Sequence, residues 1–133
     1  MTYLRIVYMT KYAFGDVVVV SFPFTNLDKT IRRPALVLID TGDEDIVVAR
    51  ITTHKHNEEM ELEIENYREK GLLMPSYVRF NKIATLNRKD MYKKIGELSP
   101  EEIKKARKIL RKMFLNNQRE KDDDTQRIKE KIR

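Results

Sequence analysis

The chain alternates between blocks of apolar residues and short polar breaks. Val17-Val18-Val19-Val20-Ser21-Phe22 is β-branched and almost uninterrupted, the pattern of a strand buried on both faces. Pro23 to Thr30 replaces it with turn formers and small polar groups, predicting a loop. Pro34 to Ile39 is a second apolar run, Thr41-Gly42-Asp43-Glu44 a turn, and Ile46 to Ile51 a third strand. Gly42-Asp43 between such runs argues for antiparallel pairing. Met60 to Glu65 alternates with period two, which sets Met60, Leu62 and Ile64 on one face and three glutamates on the other, a half-exposed strand. Ser76 to Phe80 reads as a fifth strand. The segment Lys82 to Leu86, reached through Asn81, is not assigned by its pattern.

Period two then gives way to helical spacing. Ser99 is placed as an N-cap, Pro100 at the first helical position, and Glu102 where a capping box closes. Ile103, Ala106, Leu110 and Met113 recur at three- and four-residue intervals with Phe114 beside them, while Lys104, Lys105, Arg107, Lys108, Arg111 and Lys112 fill the other positions. One face docks and the other is basic. Beyond Asn116 apolar content collapses: residues 117–133 hold six cationic and five anionic side chains, with Ile128 and Ile132 as the only apolar ones. This tail is predicted to be disordered or a lone charged helix. Five antiparallel strands and one terminal helix predict a mainly β domain, either a small, partly open antiparallel barrel or a tightly curled sheet with the helix against it.

Composition narrows the functional classes. A length of 133 residues makes one domain the default, and a charged fraction of 36% beside a hydrophobic 41% implies a compact core under a large solvated surface. The balance of 27 Lys and Arg against 21 Asp and Glu, a net +6, favours polyanions such as nucleic acid, or an acidic protein partner. Without cysteine there is no disulfide framework, thiolate catalysis or cysteine-ligated zinc, and the cytoplasm is the expected location. No apolar run approaches the ~20 residues of a spanning helix, and Arg5 interrupts the start too early for a secretory segment, so no membrane role is expected. The four glycines lie far apart, which excludes a glycine-rich phosphate loop, and neither a G-x-S-x-G elbow nor an H-E-x-x-H helix is present.

What remains is an arginine ahead of an apolar strand, Arg32-Arg33-Pro34, and a threonine pair closing another, Ile51-Thr52-Thr53-His54. With Gly15-Asp16-Val17-Val18 opening the first strand, Arg33-Pro34-Ala35-Leu36-Val37-Leu38, Ile51-Thr52-Thr53, and Lys82-Ile83-Ala84-Thr85-Leu86 followed by Ile95-Gly96-Glu97-Leu98, the sequence resembles the MazF/PemK family of toxin endoribonucleases over residues 13 to 115. The resemblance implies an SH3-like barrel with a terminal helix in a domain spanning 13–116, flanked by an N-terminal extension, 1–12, and the charged tail, 117–133. It also implies a metal-independent, cofactor-free endoribonuclease toxin of a toxin-antitoxin pair, acting on single-stranded RNA, held in check by an acidic antitoxin protein and assembled as a homodimer. Lys82, where the family often has an acid or Gln, and Asp90, in place of a frequent arginine, depart from its pattern near where the family dimerises.

That chemistry has identifiable needs. When an RNA 2′-hydroxyl attacks its neighbouring phosphate, the protein must stabilise a phosphorane dianion and move two protons. Arg33 offers a planar, permanently charged fork, and the family's catalytic arginine maps onto it. Thr52 matches the catalytic Thr or Ser, with Thr53 one residue along and facing the other way in a strand, so the hydroxyl is assigned to one of the two. Phe24 and Arg32 in the first connecting loop are candidates for base stacking and phosphate contact. Thr53, His54, Tyr77 and Arg79 complete the candidate RNA surface, and Arg88 is a further residue on the same stretch. His54-Lys55-His56 lacks a nearby third ligand, so no metal site is expected. The alternative reading is a non-catalytic nucleic-acid-binding or adaptor module on the same fold, with Arg33 and Thr52 serving as phosphate contacts alone.

Overall fold

The structure, a computed structural model, describes residues 11–22, 31–56 and 59–116. Among them six strands and a helix are formed: β1 (Asp16–Phe22), β2 (Ile31–Asp40), β3 (Asp45–Thr52), β4 (Glu61–Glu63), β5 (Tyr77–Asn87), β6 (Met91–Glu97) and α1 (Pro100–Arg111). The strands make one sheet in the order β4-β5-β3-β2-β1-β6, antiparallel at every junction. The two ends of the order do not pair, so the curled sheet stays open. Phe24 and the rest of the β1–β2 connection, and the tail beyond Asn116, lie outside the described residues.

The first three strands form where the apolar runs predict them, and burial explains why. Val17, Val18 and Val20 are wholly buried because β1 is an inner strand and both its faces are covered. Val17, Leu36, Ala49, Ile51, Leu62, Val78 and Phe80 meet α1 through Ala106 on one side of the sheet. Val18, Val20, Ala35, Val37, Ile46, Val48 and Leu86 pack on the other, where the curl, Tyr12 and Phe22 cover them.

Two elements differ from expectation. The segment 82–86 continues the fifth strand, giving an eleven-residue β5, and Met91–Glu97 forms a sixth strand. Strand β6 was missed because its sequence, MYKKIGE, has no period-two alternation; its lysines solvate an edge, as edge strands require.

Helix α1 starts where the capping box places it. Ser99 Oγ accepts from the Glu102 N–H at 3.2 Å, and Glu102 Oε1 accepts from the Ser99 N–H at 3.0 Å. Glu102 is buried and does more than cap: Oε2 accepts from the Glu65 N–H at 3.0 Å, and Lys70 Nζ lies 3.0 Å from Oε1. Burial alone would raise its pKa, but the Ser99 and Glu65 N–H groups and Lys70 outweigh it and hold the carboxyl below its ordinary value. The helix is thereby fastened to the 65–71 turn, which presses on β6 so closely that a Cβ on Gly96 would meet the Lys70 Cα at 2.7 Å. Gly15 fits a parallel need: its φ is +95° and a Cβ there would lie 2.2 Å from Ile103 Cδ1.

Candidate RNA-processing site

The β2–β3 ladder ends at Ala35–Arg50. Arg33 and Thr52 each stand two residues past that pair, at the same end and, by period two, on the same face as Ala35 and Arg50. Arg33 is held opposite Val20 of β1, and Thr52 opposite Tyr77 of β5. In the adjacent rung Arg50 faces Arg79, which in turn faces Glu61 on β4. Neighbouring strands lie ~4.8 Å apart, so two rungs carry Tyr77, Thr52 and Arg33 in one row, and Glu61, Arg79 and Arg50 in the next. This surface lies on the side of the sheet away from α1. A cleft of about 200 Å³ lined by Phe22, Val48, Arg50, Lys82, Ile83 and Ala84 opens beside it.

The sheet thus brings together Arg33, Thr52, Tyr77 and Arg79. Arg33 is exposed, and its guanidinium makes no ion pair among the described residues. Thr52 is half-buried, and its Oγ1 accepts from the His54 N–H at 3.2 Å as the chain leaves β3. Thr53 and His54 are exposed in that turn, outside the strand. The same alternation that aims Arg33 at this face turns Arg32 to the other, where its Cζ sits 3.8 Å from the centre of the Tyr92 ring. Arg88 is 4% exposed and bound to Asp40, so it belongs to the core and extends no groove.

Sequence reasoning missed Arg50 and Glu61. Arg50 was available from period two, since it precedes Thr52 by two residues in the same strand. Glu61 gave no such signal: the alternation of 60–65 sends it outward, yet its side chain is 2% exposed. Both carboxylate oxygens accept from the His56 N–H, at 2.9 and 3.0 Å, and Arg79 Nε lies 3.7 Å away. The outward face of β4 is covered here by the 53–56 turn. Chemically, three guanidiniums on adjacent rungs beside a hydroxyl suit a phosphodiester backbone, since each fork engages phosphate oxygens without being deprotonated.

Residues 13–114 match the family described as the PemK-like, MazF-like toxin of type II toxin-antitoxin systems. The chain belongs to this family. Among solved structures the fold is shared with Mycobacterium tuberculosis toxin MazF-mt6, at 23% identity over 74% of this chain and 95% of that one, with a TM-score of 0.61. It is shared also with an endoribonuclease from a Mycobacterial species in complex with its cognate antitoxin, at 19% identity over 75% and 91%, TM-score 0.62. A third likeness is to MazF of a MazE-MazF structure from Deinococcus radiodurans, at 17% identity over 78% and 96%, TM-score 0.64. Among curated protein sequences none matches this one. The family is one of toxins paired with antitoxins, and the six-stranded open sheet with its terminal helix matches the fold of these MazF structures. No helix among the described residues is long and apolar enough to cross a membrane.

Proposed function

We propose that this MazF-like toxin is a sequence-selective endoribonuclease that cleaves single-stranded RNA without a metal ion. The observation that carries the reading is the convergence of Arg33 and Thr52, from different strands, on one face beside Arg50 and Arg79. In the reaction the RNA 2′-oxygen bonds to the adjacent phosphorus and gives up its proton, while the 5′-oxygen leaves and takes one up. Negative charge on the phosphorane rises in between. Arg33 supplies the fixed positive fork for that charge, and Thr52 donates its hydroxyl proton to a phosphate oxygen. Arg79 and Arg50 bind the flanking backbone, Tyr77 offers a ring for a base, and Thr53 and His54 border the strand's path, with Phe24 a further ring for base stacking.

The working domain is 13–116, with 1–12 and 117–133 outside the catalytic unit. Two copies associate through the apolar surface where Ile39, Ile83 and Phe114 are 53%, 40% and 63% exposed around a groove of about 580 Å³ beside α1. Leu86 belongs to the core and takes no part. An acidic antitoxin neutralises the arginine face by charge complementarity, and the protein works in the cytoplasm.

The test is incubation with mixed single-stranded RNA in EDTA, with Arg33→Ala in parallel. Cleavage by the wild type but not the variant is expected, with the variant's thermal midpoint within a few degrees because an exposed arginine contributes only about 0–1 kcal/mol to stability. RNA binding without cleavage would favour an adaptor, and full activity in folded Arg33→Ala would overturn the assignment.

A further inference from the structure

Among the described residues one buried carboxylate, Glu61, lies on the arginine surface, and its connections run to the end of β3, which carries Thr52, and to Arg79 on β5. Glu61 receives the His56 N–H on both oxygens. The His56 ring returns along the same turn: Nδ1 lies 2.7 Å from the His54 carbonyl oxygen, which can only accept, so Nδ1 carries the proton. His54 in turn donates its backbone N–H to Thr52 Oγ1 at 3.2 Å. A hydroxyl oxygen that accepts from a backbone amide keeps its own proton to donate elsewhere. On the other side Glu61 Oε1 is 3.7 Å from Arg79 Nε, a buried nitrogen with no hydrogen bond among the described residues. The guanidinium is therefore oriented by charge and not by a hydrogen bond, and its remaining N–H groups stay available.

We infer that Glu61 is a positioning residue for the cleavage reaction, anchoring the 53–56 turn so that the Thr52 hydroxyl points its proton at the substrate, and holding Arg79 beside it. The inference rests on the endoribonuclease reading and adds a group that contacts no substrate itself. A carboxylate placed among phosphate-binding arginines weakens non-specific attraction to RNA, so its presence makes sense where orientation matters more than charge count. The two rungs are adjacent, and a single buried side chain then sets groups on β3 and β5 together.

The test compares Glu61→Ala and Glu61→Gln with wild type in the full chain. Glu61→Ala should lower kcat about 100-fold, while affinity and stoichiometry for a 2′-O-methyl oligoribonucleotide, which cannot react, hold or improve. Glu61→Gln keeps an oxygen for the His56 N–H and should recover part of kcat. Amide hydrogen exchange provides an arm that needs no cleavage: in Glu61→Ala the His54 and His56 amides should lose protection while β1, β2 and β3 keep theirs. Unchanged kcat in Glu61→Ala, equal loss in both variants, or unaltered exchange at both histidine amides would each overturn the inference. If wild type fails to cleave RNA, the enzyme reading falls, and the exchange arm still decides whether Glu61 anchors the turn. Should Glu61→Ala not fold, Glu61→Gln decides alone: a reduced but measurable kcat at a native midpoint supports the inference, and wild-type kcat with unaltered exchange at the His54 and His56 amides overturns it.

Discussion

Replacing Arg88 by methionine removes one partner of the most deeply buried ion pair among the described residues. The Arg88 side chain is 3% exposed and that of Asp40 0%. Arg88 Nη1 donates to Asp40 Oδ2 at 3.1 Å, Nη2 pairs with Oδ1, and Nε donates to the Asp43 carbonyl at 2.9 Å. Asp40 also accepts from the Tyr12 and Gly42 N–H groups, at 2.8 and 2.9 Å. The pair therefore joins the chain entering β1, the β2–β3 turn and the end of β5. Breaking a buried pair by deleting one partner costs about 3–5 kcal/mol, since the other charge is left uncompensated. At about 4 °C per kcal/mol for a domain near this size, the midpoint should fall by about 12–20 °C.

The pH dependence gives that prediction a second edge. Burial would raise the Asp40 pKa, but the Arg88 hydrogen bonds and the two backbone N–H groups outweigh it and bring the value from 3.8 to about 2. A depressed carboxylate contributes stability that is fully present above its unfolded pKa and lost as pH falls through its folded one. Here that means about 2 kcal/mol lost between roughly pH 4 and pH 2. In Arg88→Met this contribution should shrink or change sign, because protonating Asp40 then relieves an unpaired buried charge. Adding Asp40→Asn to Arg88→Met should recover part of the loss, as the amide oxygen still accepts from Tyr12 or Gly42 and carries no charge. Denaturant unfolding from pH 2 to 7 reads all three proteins. A cost under about 1 kcal/mol with an unchanged acid limb would refute the reasoning.

Gly96→Ala should destabilise by about 1–3 kcal/mol, because the added methyl meets Lys70 backbone atoms at 2.7 to 2.9 Å and neither chain can retreat without loosening the Lys70–Glu102 contact; thermal melting checks it. Arg50→Ala should weaken binding of an unreactive single-stranded oligonucleotide and reduce the slope of log affinity against log salt by about 0.7, one phosphate contact's worth, as measured by fluorescence titration. Deleting 117–133 should leave the melting midpoint, RNA cleavage and the two-chain mass from light scattering nearly unchanged; a clear loss would mean that Ile128 and Ile132 dock and that the domain runs further than 116.

The core strands were legible because β1, β2 and β3 occupy the middle of the sheet. Burial on both faces forces uninterrupted Val, Ile and Leu, and such runs announce themselves. The helix was legible for a local reason, as Ser99, Pro100 and Glu102 satisfy its first turn from within the same few residues. Edge elements lack that constraint. One side of β6 has no neighbouring strand, so Lys93 and Lys94 serve it well and no apolar rhythm is written. Glu61 fails for the opposite reason: its burial depends on His56 and Arg79, partners brought in by the turn and by β5, and nothing in the 60–65 alternation encodes them.

The composition of the site depends on one irregularity in β5. Between Asp45–Asn87 and Ala49–Ile83 the β3–β5 register is even, but the next pair is Arg50–Arg79, so Phe80, Asn81 and Lys82 are extra residues on β5. Ala84 and Leu86 point to the face away from α1. In a regular strand Lys82, Phe80 and Val78 would follow them there, and Tyr77 and Arg79 would point at the helix. An odd insertion reverses the alternation beyond it. Val78 and Phe80 are accordingly wholly buried in the helix-side core, and Tyr77 and Arg79 join Thr52 and Arg33 on the open face. A strand read by period two alone divides at Asn81 and shows only that its two halves disagree. The disagreement is the device by which one continuous strand seals the core on one side of the sheet and delivers a tyrosine and an arginine to the proposed RNA surface on the other.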